Sequence, residues 1–169
     1  MSTSRTHRTH ILFVCLGNIC RSPLAEGVFR DVLEKDGLAD SFHVDSAGTG
    51  AYHVGEPADP RSLQVARDHG VTLDGKARKV EPDDLDRFDH IVAMDRDNLR
   101  NLEAMKERHG GKAQLHLLRE FDPEAHEGDL EVPDPYYGGP DGFQAVYSMI
   151  HRSCKELLQR MDSDPPRER

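Results

Sequence analysis

Residues 10–23 read HILFVCLGNICRSP, and the architecture turns on this stretch. His10 to Val14 reads as a short buried strand, because an unbroken apolar run without polar alternation suits a strand covered on both faces. It passes into a Gly-containing turn, Cys15 to Arg21. Ser22-Pro23 then opens a helix, since serine is a favoured N-cap and proline suits the first helical position. Leu24, Val28 and Val32 form one apolar row of that helix, Ala25, Phe29 and Leu33 the neighbouring row, and Gly37 ends it. Strand, tight loop and helix in immediate succession are the opening unit of a parallel α/β sheet.

The pattern continues outward. Phe42 to Ser46 reads as a second strand entering the loop Ala47-Gly48-Thr49-Gly50, and Asp59-Pro60 caps a helix to His69-Gly70 with Leu63 and Ala66 inward. Phe88 to Met94 is a third strand, Asp95 starts a helix bearing Leu99, Leu102 and Met105, and Gln114 to Leu118 is a fourth strand. A Pro- and Gly-rich loop covers 121–142. The last helix runs from about Gly142 to Met161 with Phe143, Val146, Ile150, Cys154, Leu157 and Leu158 on one stripe. The expectation is a three-layer α/β sandwich, a central four-stranded parallel sheet with helices on both faces. Residues 10–161 form a single domain in this reading, between polar tails at 1–9 and 162–169. Ligands of such sheets sit at the carboxyl ends of the strands, beside the switch in strand order, which points to the loop after the first strand.

Composition narrows the function. The 169 residues carry 31 acidic against 22 basic side chains, a formal charge of −9, which disfavours a nucleic-acid-binding surface. No run approaches the ~18 apolar residues of a membrane span. MSTSRTHRTH leads into only the short run Ile11 to Cys15, too brief for a secretory leader, so the expected place is the cytoplasm. Cys15, Cys20 and Cys154 are too few and too uneven for an extracellular disulfide framework. Cys154 reads as core. His7 and His10 read as a solvated pair in the tail, and Glu81, Asp83, Asp84 and Asp86 as a solvated helix start.

The chemistry concentrates between Cys15 and Ser22. Gly17 and Asn18 tolerate left-handed dihedrals, so the turn can gather successive N–H groups into an anion nest closed by a helix N-terminus. Arg21 adds a planar fork for two phosphate oxygens, and no acidic residue interrupts Leu16, Gly17, Asn18, Ile19 and Cys20. Cys15 begins the cradle, where amides, helix end, Arg21 and the Ser22 hydroxyl all favour a charged sulfur. The same donors suit the equatorial oxygens of a phosphoryl group in transfer. A C-x4-C spacing also admits zinc, but no paired ligand motif follows it.

The run ILFVCLGNICRSPLAEGVF resembles the opening of the low-molecular-weight protein tyrosine phosphatases, and the likeness continues through VDSAGTG at 44–50, MDRDNLRNL at 94–102 and DPYYGG at 134–139. It covers nearly the whole chain from about residue 10. The resemblance implies a flavodoxin-like fold, hydrolysis of phosphotyrosine in a protein substrate with inorganic phosphate as product, and no metal or other cofactor. It makes Cys15 the nucleophile, Arg21 the phosphate fork and Asp134 the general acid. It also implies that Asn18 and Ser46 shape the loop, that Tyr52 and Tyr136 wall the substrate slot with Leu16 at its rim, and that Cys20 is a redox partner of Cys15. Tyr137 matches the second of a tyrosine pair phosphorylated in some relatives. No nucleic acid or membrane is expected as partner, and the chain is expected to be a monomer or weak dimer.

Two positions depart from the family pattern. Gly75 precedes Lys76-Ala77-Arg78 where animal relatives often carry a histidine bonded to the phosphate loop, so that support is either missing or supplied from elsewhere, with His69 as a candidate. His53 follows Tyr52 where relatives often carry an acidic or other polar residue. Asp134-Pro135 also reads as a plain turn cap. Phosphoarginine hydrolysis is the rival activity, its enzymes typically carrying threonine where Ile19 stands, and a noncatalytic phosphate-binding module is the rival of another class. Arsenate reduction would require two further cysteines mid-chain, which this sequence lacks.

Overall fold

A computed structural model describes residues 8–136 and 140–163. Four strands, β1 (Thr9–Cys15), β2 (Phe42–Gly48), β3 (His90–Ala93) and β4 (Gln114–Leu117), lie in one parallel sheet of order β2-β1-β3-β4. The helices are α1 (Arg21–Lys35), α2 (Pro60–Asp68), α3 (Asp84–Arg87), α4 (Arg96–His109) and α5 (Pro140–Ser163). Order and direction are those of the flavodoxin-like doubly wound sheet, with the switch beside β1.

Alternation along β1 divides the core. Ile11, Phe13 and Cys15 face a cluster with Leu24, Val28 and Phe29 of α1 and Phe143, Ile150 and Leu157 of α5. Leu12 and Val14 face the other cluster, with Leu85 of α3 and Leu102 of α4. Cys154 is fully buried on the α5 stripe. Both sheet faces are covered, which explains why the central run Ile11 to Val14 of β1 is apolar without alternation.

The boundaries differ in instructive ways. β1 takes in Thr9, and α5 starts at Pro140 and reaches Ser163. β2 continues to Gly48, where β1 pairs Cys15 with Gly48. Helix α1 begins at Arg21 with Cys20 as its cap residue and no capping side chain, because the Ser22 hydroxyl is engaged elsewhere. On α2 the buried positions are Ser62, Val65 and Ala66, while Leu63 is only half-buried. His10 is a β1 residue packed near His43 and Phe88, not a solvated tail residue; His7 lies outside the described residues. The acidic cluster does open a short helix, α3, but Asp84 is fully buried rather than solvated, bonded by Arg78 at 3.0 and 3.1 Å and by Arg87 at 2.8 Å. Among the described residues, no helix is long and apolar enough to cross a membrane.

Candidate active site

The loop between β1 and α1 is held from three sides. Asn18 adopts φ 58° and is 3 % exposed. Its amide donates to the hydroxyls of Ser22 at 2.8 Å and Ser46 at 3.1 Å, and its oxygen accepts the Arg78 amide at 2.9 Å. Ser46, in the second half of β2, donates its hydroxyl hydrogen bond to the Glu26 carboxylate at 2.6 Å. From α2, the Asp59 amide donates to the Ile19 carbonyl at 2.8 Å and the Ser62 hydroxyl to the Cys20 carbonyl at 3.2 Å. Gly48 lets the strand pass closely, since a Cβ there would stand 2.7 Å from the Leu16 carbonyl oxygen. With the loop's carbonyls and side chains so employed, no backbone amide from Leu16 to Cys20 donates to another protein group among the described residues. Those amides are therefore free donors for an anion.

Cys15 is 2 % exposed at the base of this loop. Its sulfur lies 3.0 Å from the Ser22 hydroxyl and accepts the Ser22 amide at 3.4 Å, so the first turn of α1 is directed at the sulfur. Arg21 is equally buried. Burial opposes its charge, yet the Cys15 sulfur, Asp95 and Asp134 outweigh that and hold the guanidinium protonated. One terminal nitrogen, Nη1, donates to Asp95 at 2.7 Å and to the Val132 carbonyl at 2.9 Å. The other, Nη2, lies 3.6 Å from Asp134. The fork thus has one tine fixed by protein and one turned toward the candidate acid.

Asp134 is part of the loop after β4. Its Oδ1 accepts the Tyr136 amide at 3.0 Å, so the carboxyl does cap a turn, and Oδ2 faces Arg21. The same carboxyl thus caps the turn and faces the guanidinium. The His53 ring lies 6.4 Å from that of Tyr136 and pairs with Glu56 at 3.1 Å; a Cβ on Gly17 would stand 3.0 Å from it. His53 therefore joins Tyr136 at the mouth. Tyr52 is exposed and packs its ring over Gly50, near Leu16. Arg61 stands 5.3 Å from the Tyr136 ring and pairs with Asp59. Tyr137 lies outside the described residues.

Cys20 is buried, and its thiol is pushed up to about 12, first by burial and then by the Asp59 carboxylate. Neither it nor Cys15 belongs to a group of three ligand-bearing side chains among the described residues; Asp83, Asp86 and His109 form such a group, all exposed.

His69 does not support the loop: it stacks on Tyr147 at 3.8 Å and meets Gln144. At Gly75 there is instead a polar cavity behind the loop, lined also by Asn18, Glu26, Ser46 and Lys76. The Arg78 amide and the Glu26 carboxylate carry the hydrogen bonds on that side. Sequence reasoning missed Asp95, which it took only as a helix start. Asp95 is the cap of α4, accepting the Asn98 amide at 2.8 Å, while its other oxygen holds Arg21. An Asp directly after a central strand was the available signal. The Val132 carbonyl left none.

The model of the family described as low molecular weight phosphotyrosine protein phosphatase matches residues 10–167. A low molecular weight protein-tyrosine-phosphatase of Streptomyces coelicolor is 47% identical over 148 residues, 88% of this chain and 90% of that protein. The crystal structure of a protein tyrosine phosphatase from Entamoeba histolytica matches with TM-score 0.84 and 39% identity, covering 91% of this chain and 97% of that one. A Drosophila arginine phosphatase matches with TM-score 0.86 and 35% identity, over 92% and 99% of the respective chains.

Proposed function

The chain belongs to the low molecular weight phosphotyrosine protein phosphatase family, and we propose that it hydrolyses phosphotyrosine through a phosphorylated Cys15. The observation that carries this reading is the Cys15 sulfur, within hydrogen-bond reach of Ser22 and set in the same loop as Arg21, with Asp134 across from that guanidinium. The loop amides and Arg21 hold the three equatorial phosphoryl oxygens while Cys15 attacks phosphorus in line. Phenolate is a poor leaving group, so Asp134 donates a proton to the departing oxygen. In the second step Asp134 takes a proton from the attacking water, and Ser22 stabilises the sulfur anion as it leaves.

The test is hydrolysis of p-nitrophenyl phosphate in excess EDTA. Turnover should persist, because the nucleophile, the phosphate donors and the acid are all side chains and amides of the chain itself. Cys15→Ser should abolish turnover and keep phosphate binding; a noncatalytic module would show no turnover at the outset.

A second reading, phosphoarginine hydrolysis, draws support from the likeness to the Drosophila arginine phosphatase. Ile19 weighs against it, presenting an apolar side chain where a hydroxyl would orient attack on a P–N bond. Faster turnover of phosphoarginine than of phosphotyrosine peptides would decide for the rival. We also assign Cys20 as the partner that forms a reversible disulfide with oxidised Cys15. Peroxide treatment followed by mass spectrometry should find the Cys15–Cys20 crosslink; sulfonate at Cys15 alone would reject it. The expected setting is the cytoplasm.

A further inference from the structure

Asp134 lies in a segment, 122–136, with no regular secondary structure, so side chains must set where its carboxyl stands. Arg119 closes the base of that segment. It sits in the 3-10 turn Leu118–Phe121 and is 4 % exposed. Its Nε donates to Asp122 at 3.1 Å, and Nη1 donates to the Glu131 carbonyl at 3.1 Å and pairs with Asp129 at 3.2 Å. One guanidinium thereby ties the start of the loop to its end.

The clamp is itself anchored. Asp122 takes two hydrogen bonds from Arg152 of α5, at 3.0 and 3.1 Å, and one from the Glu124 amide at 2.8 Å. Burial pushes the Asp122 carboxyl up, but Arg152, the Glu124 amide and Arg119 outweigh it and keep the group below the ordinary carboxylate range.

Little freedom separates the clamp from the acid. Val132 follows Glu131, is fully buried, donates to the Met94 carbonyl at 2.8 Å and gives its own carbonyl to Arg21. Pro133 and Pro135 flank Asp134. Each proline fixes its own φ near about −65° and biases the residue before it toward extended backbone. Displacement of the Glu131 carbonyl therefore passes to the Asp134 carboxyl with few rotations to absorb it.

We propose that Arg119 is a positioning residue of the phosphatase reaction: by holding the Glu131 carbonyl it sets the Asp134 carboxyl against the departing oxygen, without touching substrate. The inference rests on the reading of Asp134 as general acid.

The experiment compares Arg119→Lys and Arg119→Gln with the unaltered chain. Lysine keeps a charge for Asp122 but cannot span carboxylate and carbonyl as a planar fork, and with glutamine Asp122 keeps Arg152. The readout is kcat/KM for phenyl phosphate, whose leaving group needs a proton, against p-nitrophenyl phosphate, whose leaving group needs it far less. Phenyl phosphate should lose about tenfold or more, the order expected when a catalytic group is misplaced by a fraction of an ångström. p-Nitrophenyl phosphate and inhibition by inorganic phosphate should stay within about twofold, since Ser22 still holds Cys15 and Asp95 still holds Nη1 of Arg21 where the Val132 carbonyl shifts. Equal losses on both substrates, an unchanged ratio in a variant that melts like the parent, or loss of cooperative melting in both variants would each overturn the assignment. Asp134→Ala separates the two readings. If it raises the discrimination and the Arg119 variants do not, the positioning role falls alone; if it does not, the acid role falls and takes the positioning role with it.

Discussion

The Ser22 hydroxyl lies 3.0 Å from the Cys15 sulfur while accepting a 2.8 Å hydrogen bond from Asn18. Asn18 supplies the donor, so the hydroxyl proton is left for the sulfur or for the Ala47 carbonyl at 3.3 Å. As the sulfur becomes anionic, the balance shifts to the sulfur, because a hydrogen bond to a charged acceptor is roughly twice as strong.

Ser22→Ala removes that proton from a buried site and leaves the fold's apolar contacts intact. We expect kcat to fall by about tenfold, the scale of one charge-assisted hydrogen bond of ~1.5 kcal/mol. The rate of Cys15 alkylation by iodoacetate at neutral pH should fall with it. An alkylation profile superimposable on the parent's would show that Ser22 does not serve the anion.

Asp134→Ala should cost about a hundredfold in kcat/KM on phenyl phosphate, within the range of general acid catalysis, and much less on p-nitrophenyl phosphate. Stopped-flow measurement of the first turnover isolates the step. Identical losses on the two substrates would remove Asp134 from the acid role.

Asp95→Asn keeps the cap on the Asn98 amide but weakens the grip on Arg21, which now spans 2.7 Å to a full carboxylate. Inhibition by inorganic phosphate should weaken by about tenfold, one charge-assisted hydrogen bond's worth, while helix content by circular dichroism is unchanged. Asp95→Ala should lower the melting temperature as well, since it also removes a cap worth ~1 kcal/mol. Phosphate affinity unaltered in Asp95→Asn would sink the idea that this carboxylate aims the fork.

Stability should fall steeply in acid. Burial raises the Asp84 carboxyl, but hydrogen bonds from Arg78, the Glu81 amide and Arg87 outweigh it, so it titrates below its ordinary value of 3.8. A depressed carboxyl contributes fully above its unfolded value, and the contribution is lost as pH falls through the folded one. Urea melts should therefore change little through this group between pH 7 and pH 5, and weaken below about pH 4. Asp84→Asn should cost about 2 kcal/mol at pH 7, the scale of hydrogen bonds to a charged group, with a flatter acid limb. An acid limb equally steep in the variant would assign the loss to other carboxyls.

The sheet and the loop after β1 were legible because both are local. The run Ile11 to Val14 and the rows Leu24-Val28 and Ala25-Phe29 report burial through spacing, and CLGNICRS carries its donors within one turn. Asp84 misled because a buried ion pair looks like surface charge when its partner, Arg78, stands before the helix it joins. Ser22 misled in a related way: as a residue type it fits a cap, but its hydroxyl is engaged by Cys15 and Asn18. The grip of Asp95 on Arg21 joins residues 74 apart, and the Glu131 and Val132 carbonyls hold Arg119 and Arg21 through main-chain atoms whose identity no side chain records.

The Val132 carbonyl gives that last point an evolutionary edge. Half of what restrains Nη1 of Arg21 is encoded by no codon, so genetic drift at position 132 leaves the restraint intact as long as a similar apolar residue fills the space and the backbone keeps its course. Position 95 has no such insurance. A saturation library scored for growth or turnover should show 132 permissive among aliphatic residues and 95 nearly invariant, although both touch the same nitrogen.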